Sequence, residues 1–359
     1  MLMPARPELI SIPLVDVRDG GAVRHAVDGA SRARALRDAC VGWLPGPARA
    51  ALPLIDILAR RWLIRSQSPY IGEIRTIAAA LGFPGIWFLN GSYQWSCTTL
   101  ARDEDGAPWL ARTLDWPFPG LGRHVEIAQM RGPAGEFFSA TWPGYVGALT
   151  AMAPGRFAAA INQAPLKRRT ADRRLRLYDI AVNAAATYLN VRAIPPDQLL
   201  RKAMETCRNF AEARIVLERT PIARPVIYTL AGCLPGERCV IERTETGARI
   251  YSDSCAAAND WTERQLGWEA RIGSDELFSR STEDAAARSR DRRNSLAAWT
   301  GGFAEQSFSW VVPPVLNKYT RLAVEMCAAR GVMRAVGYER DGMGETASPA
   351  TLPRELRAA

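Results

Sequence analysis

Cys97 lies in the run Ser96-Cys97-Thr98-Thr99, and Arg112-Thr113-Leu114-Asp115 follows one hairpin's length later. A thiol, a guanidinium and a carboxylate are parts for acyl transfer by a sulfur nucleophile. A cation beside the sulfur favours the thiolate. A carboxylate there does the opposite, unless it holds an ammonium group, and the obvious ammonium is the α-amine of Cys97 once the bond from Ser96 to Cys97 is broken. An α-amine titrates near ~8 when unperturbed, so it can serve as general base for its own side chain. The expected chemistry is a cysteine nucleophile unmasked by self-cleavage at Ser96-Cys97.

Two strands must bring these groups together. Thr98 to Ala101 is β-branched or apolar, Asp103-Glu104-Asp105-Gly106 supplies turn residues, and Trp109 to Leu114 turns apolar again. In an antiparallel pair the start of the first strand faces the end of the second, which returns Arg112 and Asp115 to Cys97.

Further along stand Trp142-Pro143-Gly144-Tyr145-Val146-Gly147-Ala148-Leu149-Thr150-Ala151-Met152 and Pro154-Gly155-Arg156-Phe157. With Cys97-Thr98-Thr99 and Arg112 to Asp115, these resemble the acid ceramidase and N-acylethanolamine-hydrolysing acid amidase family. More distantly they resemble the isopenicillin N acyltransferase and choloylglycine hydrolase branches of the N-terminal-nucleophile hydrolases. The resemblance covers roughly residues 80 to 340 and is strongest from 91 to 165. It implies an α+β fold, a four-layer αββα sandwich of two antiparallel sheets flanked by helices. It also implies an Asn that stabilises the tetrahedral oxyanion, matched by Asn259 in Ala258-Asn259-Asp260-Trp261, and a second contributor matched by Asn162. A further arginine is implied on the helix after Asn259. Arg288 is ranked first, narrowly ahead of Arg292 and Arg293, and any of them can instead be a solvated surface residue. Trp142 and Tyr145 are candidate substrate or oxyanion contacts. With Trp95 and Trp116, Trp142 suits either the core or a hydrophobic acyl chain.

The other cysteines read differently. Cys40, Cys207 and Cys327 sit among apolar neighbours as inert thiols, Cys255 has no evident partner, and Cys233 and Cys239 flank a turn. With only His25 and His124 besides, neither a zinc site nor a cofactor is expected, and His124 reads as a strand-end residue rather than a base. Seven cysteines, an odd number without regular spacing, suggest reduced thiols and a cytoplasmic location, unlike the lysosomal members of the family. Met1 to Arg18 does not read as a secretory signal, since Pro4, Glu8, Pro13 and Asp16 interrupt it. No run of about 18 apolar residues would span a membrane. The net charge of +9 is spread over basic clusters with acidic neighbours. It argues against nucleic-acid binding, for which no module is present, and leaves peripheral contact with lipid surfaces open.

The chain divides into residues 1–96, a propeptide or small-subunit segment; 97–340, the catalytic core; and 341–359, a flexible tail. In the first, Ile10 to Val17 reads as an edge strand, followed by helices over Ala33 to Leu44, Ala48 to Ser66 (starting late or breaking at Pro53) and Gly72 to Leu81. Strands follow at His124–Met130, Phe137–Trp142, Gly147–Met152 and Arg156–Ile161. Helices are expected over Arg173–Leu189, after Pro196 with Asp197 as N-cap, and over Asn209–Glu218. Strands resume at Val226–Ala231, Arg238–Arg243 and Ala248–Ser252, then a helix over Thr282–Trp299 and a hairpin of Arg321–Met326 with Val332–Tyr338.

The function expected is an autoprocessing cysteine amidase that cleaves a hydrophobic or fatty N-acyl amide, its two cleaved fragments remaining associated. Two alternatives stand beside it: an acyltransferase of the same fold, and a non-catalytic binding protein that retains the fold.

Overall fold

The computed structural model describes residues 8–42, 44–91, 96–170, 172, 175–190, 192–253, 255–270, 283–340, 342 and 344–358. The expectations for Trp95, Arg173, Arg174, Ser254, Ser281 and Thr282 lie outside these residues. The chain starts with a short strand, Leu14–Asp16 (β1), and five helices: Gly21–Asp28 (α1), Ala30–Gly42 (α2), Gly46–Arg65 (α3), Ile71–Leu81 (α4) and Ile86–Gly91 (α5). Strands then dominate: Ser96–Glu104 (β2), Ala107–Asp115 (β3), Glu126–Gly132 (β4), Gly135–Thr141 (β5), Thr150–Ala153 (β6), Phe157–Gln163 (β7) and Leu166–Lys167 (β8). Helices Arg176–Asn190 (α6), Pro196–Thr206 (α7) and Phe210–Arg219 (α8) follow. The second half holds Val226–Ala231 (β9), Arg238–Arg243 (β10), Ala248–Tyr251 (β11), Ala256–Ala257 (β12), Trp268–Glu269 (β13) and the helix Glu283–Ala297 (α9). It closes with Thr320–Cys327 (β14), Val332–Arg340 (β15), Ala347–Pro349 (β16) and Arg354–Arg357 (β17).

Two sheets stack on each other. One runs β1-β4-β5-β6-β7-β9-β10-β11, the other β12-β2-β3-β14-β15-β16, with β17 also on β15. Strands β2 and β3 lie against β7 and β9 across the interface, α7 and α8 cover the first sheet, and α9 lies on β2 and β12 of the second. The result is an α+β arrangement of two sheets flanked by helices, with the main apolar core between the layers. Because both faces are covered, β3, β9 and β14 are buried along their whole length and read as continuous runs rather than alternations. One pairing departs from the expected antiparallel sheets: β1 lies parallel to β4.

Other differences have local causes. Helix α3 continues through Pro53, although an internal proline costs ~3 kcal/mol; burial of Leu52, Trp62 and Leu63 offsets that cost. Asp197 is not the N-cap of α7. Pro195 takes that position and Pro196 enters the first turn, where its fixed φ fits, leaving Asp197 buried one residue further on. Asn209 does cap α8, accepting the Glu212 N–H at 2.9 Å. The supposed tail is structured: β16 and β17 pair antiparallel with β15. The loop between β3 and β4 crosses β14 and β15 so closely that a Cβ on Gly122 would meet the Tyr338 carbonyl oxygen at 2.0 Å. Among the described residues, no helix is long and apolar enough to cross a membrane.

Candidate active site

The hairpin of β2 and β3 turns through Asp105 and Gly106, both in the left-handed region with φ of 49° and 74°. Such a two-residue turn matches the natural twist of the strands and locks their register. Cys97 therefore sits opposite Leu114, Thr99 opposite Arg112, and Ser96 opposite Asp115. Thr99 faces the other sheet, its hydroxyl 2.7 Å from that of Thr229 on β9. Arg112, on the same face, has no exposed surface. Its Nη1 donates to Thr150 Oγ1 at 2.6 Å, and its Nη2 donates to the Ile161 carbonyl at 3.0 Å and to Cys97 Sγ at 2.9 Å.

Asn259 follows β12 and meets the same strand from the other side. Its Oδ1 accepts the Cys97 backbone N–H at 2.9 Å, the Ser96 hydroxyl at 2.9 Å and Arg292 Nη2 at 2.8 Å. Its Nδ2 donates to the Gln163 carbonyl at 3.0 Å. With three donors converging, the amide presents its acceptor to Cys97, not the donor an oxyanion would need. Asn162 lies in the same layer, and its Nδ2 donates to Thr99 Oγ1, Ala257 O and Ala258 O, each at 3.2 Å. It pins the segment that carries Asn259 rather than pointing a donor at Cys97.

The arginine of α9 in this cluster is Arg292, not Arg288. Arg292 Nε donates to Thr98 Oγ1 at 3.1 Å, while Arg288 is exposed. Arg293 lies near Glu242 and Asp260. The helical period explains the correction. Ala285, Ser289, Arg292 and Leu296 form one stripe against β2 and β12, and Ser289 Oγ accepts the Asn259 N–H at 2.8 Å.

Asp115 is almost fully buried. Its Oδ2 accepts from Asn317 Nδ2 and its Oδ1 from Thr320 Oγ1, each at 3.0 Å. Burial pushes its carboxyl above the usual range, against the opposing pull of Arg292, these two hydrogen bonds and Arg112. Burial likewise pushes the Cys97 thiol up to about 11, while Arg112 and Arg292 favour the thiolate and Asp115 opposes it. Neither histidine is among the described side-chain hydrogen-bond partners of Cys97, which are Arg112 and Asn259; His25 Nε2 is 2.8 Å from Glu126 Oε2. Sequence reasoning missed Ser289, Asn317 and Thr320. Only Ser289 left a signal, by its place on the α9 stripe.

Trp142 and Tyr145, the candidate substrate or oxyanion contacts, are both buried and hydrogen-bonded within the protein. Trp142 Nε1 donates to the Leu121 carbonyl at 2.8 Å and Tyr145 Oη to Asp197 Oδ2 at 2.7 Å. Burial raises Asp197 to about 6. Between about 4 and 6 the folded state thus binds a proton that the unfolded state does not, so this group adds stability as pH falls through 6 and costs ~3 kcal/mol at neutral pH. This group is expected to raise the wild-type melting temperature between pH 7.5 and pH 5, and Asp197→Asn to narrow that gain. Thermal melts at both values check this, and an unchanged gain would rule Asp197 out as its source.

No protein-family model matches the chain. An N-acylethanolamine-hydrolyzing acid amidase of Rattus norvegicus is 27% identical over 253 residues, 68% of this chain and 63% of that protein. A probable acid ceramidase of Caenorhabditis elegans is 26% identical over 290 residues, 74% of this chain and 68% of that protein. The match to the rat amidase thus spans less than two thirds of that relative's length. Among solved structures, a Caenorhabditis elegans N-acylethanolamine-hydrolyzing acid amidase ortholog superposes with a TM-score of 0.47 at 17% identity, covering 65% of this chain and 93% of that one. The chain's named sequence relatives are therefore acid amidases and acid ceramidases.

Proposed function

We propose, from this kinship and from the cluster around Cys97, that the protein is an autoprocessing cysteine amidase acting on hydrophobic N-acyl amides. The observation that carries the reading is the double hold on Cys97: Arg112 Nη2 at 2.9 Å from its sulfur and Asn259 Oδ1 at 2.9 Å from its backbone nitrogen. A guanidinium stabilises the thiolate, and an acceptor on the nitrogen orients what becomes the amine.

In the first act Cys97 Sγ bonds to the Ser96 carbonyl carbon, the C–N bond breaks, and the nitrogen takes the thiol proton to become the free α-amine. Water then hydrolyses the thioester, leaving a carboxylate on Ser96 and a thiol on Cys97. In the second act the α-amine takes the thiol proton as Sγ attacks a substrate amide, and delivers it to the leaving amine. Asp115 holds the ammonium between these steps. Arg292 meets the oxyanion, while Asn259 Oδ1 keeps the α-amine of Cys97 in place. Water resolves the S-acyl enzyme. The residues 1–96 remain docked through contacts such as Arg201 to Glu73 and His25 to Glu126. The seven free cysteines favour a reducing, cytoplasmic compartment.

Intact masses of the purified protein under denaturing conditions test the first act. Two pieces, residues 1–96 and 97–359, are expected. A chain that stays whole across acid and neutral pH would overturn the self-processing reading.

A further inference from the structure

We infer that Asn317, with Thr320 beside it, is a positioning pair that keeps Asp115 a carboxylate so that it can hold the α-ammonium of Cys97; the inference rests on the nucleophile reading above. The stretch between α9 and β14 lacks regular strands, yet it is fastened in its middle and at its far end. Glu325 Oε1 accepts the Phe308 N–H at 2.6 Å and Trp310 Nε1 at 2.8 Å, and Glu325 Oε2 accepts Arg334 Nη1 at 3.2 Å. The far end closes on Asn317. Its N–H donates to Thr320 Oγ1 at 3.0 Å, its Oδ1 accepts the Tyr319 N–H at 2.9 Å, and its carbonyl accepts the Ala347 N–H at 3.1 Å. This web fixes the amide so that Nδ2 donates to Asp115 Oδ2 at 3.0 Å and, at the longer distance of 3.3 Å, to the Val315 carbonyl.

The chemistry of the two donors is what matters. Each carboxylate oxygen of a buried aspartate receives one neutral hydrogen bond, from Asn317 and from Thr320. Neutral donors favour the ionised form without cancelling its charge, so the charge stays available for an ammonium. The charged and titratable groups around Asp115 are Arg112 on its own strand, Cys97 on β2, Arg292 on α9 and Arg321 on β14. The amide and the hydroxyl are thus the parts that can be altered without moving a cation.

Asn317→Asp is the incisive variant. It keeps the shape and the Oδ1 that accepts from Tyr319, and places an acceptor where Asp115 needs a donor. The Asp115 carboxyl is expected to titrate upward by about one pH unit or more, as read by carbon-13 carboxyl shifts assigned with Asp115→Asn. The acidic limb of self-cleavage and of N-acyl amide hydrolysis should move up with it. Thr320→Val, which removes the other donor, should shift the same limb, and Thr320→Ser, which keeps the hydroxyl, should restore it; this pair decides the matter if Asn317→Asp does not fold. An Asp115 titration that does not move in the folded variants overturns the inference, because a merely structural role lowers stability without moving that limb. A titration that moves in a protein that never cleaves itself or any N-acyl amide upholds the coupling of Asn317 to Asp115 and overturns the nucleophile reading instead.

Discussion

Cys97→Ala is expected to yield one uncut chain of 39.4 kDa with no amidase activity above background. Loss of the sulfur removes the attacking atom of both acts, and the fall in hydrolysis should reach ~10⁴-fold or more. Cys40, Cys239 and Cys255 are not placed to take over. Burial raises Cys40 and Cys239 to about 12 and Cys255 to about 11, and the described hydrogen bonds of Cys40 and Cys255 go to backbone carbonyls, not to a guanidinium. Cys97 is also raised, but it alone among these is hydrogen-bonded to a buried arginine and can gain an amine of its own. The variant should fold, since Arg112 keeps Thr150 and Ile161 and the cavity left by one sulfur costs only ~1–2 kcal/mol. Intact mass, an assay with N-acyl amides and a thermal melt make the case together. A Cys97→Ala chain that still divides between residues 96 and 97 would sink the assignment.

The parts of this site that were legible in the sequence are those fixed by local rules. Asp105-Gly106 sets a two-residue turn, the turn sets the register, and the register alone predicts that Cys97, Arg112 and Asp115 share one end of a hairpin. Strands β9 and β10 were equally plain, being apolar runs between turn signals. What was hidden depends on contacts distant in the chain. The choice between Arg288 and Arg292 turns on which face of α9 meets β2, and the helix is so rich in arginine that charge gives no direction. Asn317 lies in a stretch without periodicity, so nothing local marks it as the partner of a residue 202 positions earlier. Strands β16 and β17, three and four residues long, the first ending in Pro349 and the second preceded by Pro353, are too short for an alternation to show. Asn259 was placed correctly beside Cys97 but with its amide the other way round, because orientation is decided by the donors that surround it.

Arg112→Lys should be the most damaging change that keeps both charge and nucleophile. Arg112 reaches three elements at once: Cys97 on β2, Thr150 on β6 and Ile161 on β7. A guanidinium does this with two nitrogens splayed in a plane, whereas a lysine offers its donors from a single atom and cannot hold Thr150 while touching the sulfur. Burial adds a second loss. A lysine with no exposed surface is pushed down from its usual range, so it sheds its proton as pH rises and leaves the thiolate without a cation. The expected result is a fall of ~10²–10³ in kcat, with self-cleavage slowed alongside. Residual activity should decline as pH rises through neutrality, and wild-type activity should not. Rates of hydrolysis measured across pH, with the time course of chain division followed by intact mass, check both parts. An Arg112→Lys enzyme within a few-fold of wild type at every pH would mean that the sulfur needs only a nearby charge, and that the forked contact between the sheets serves packing alone.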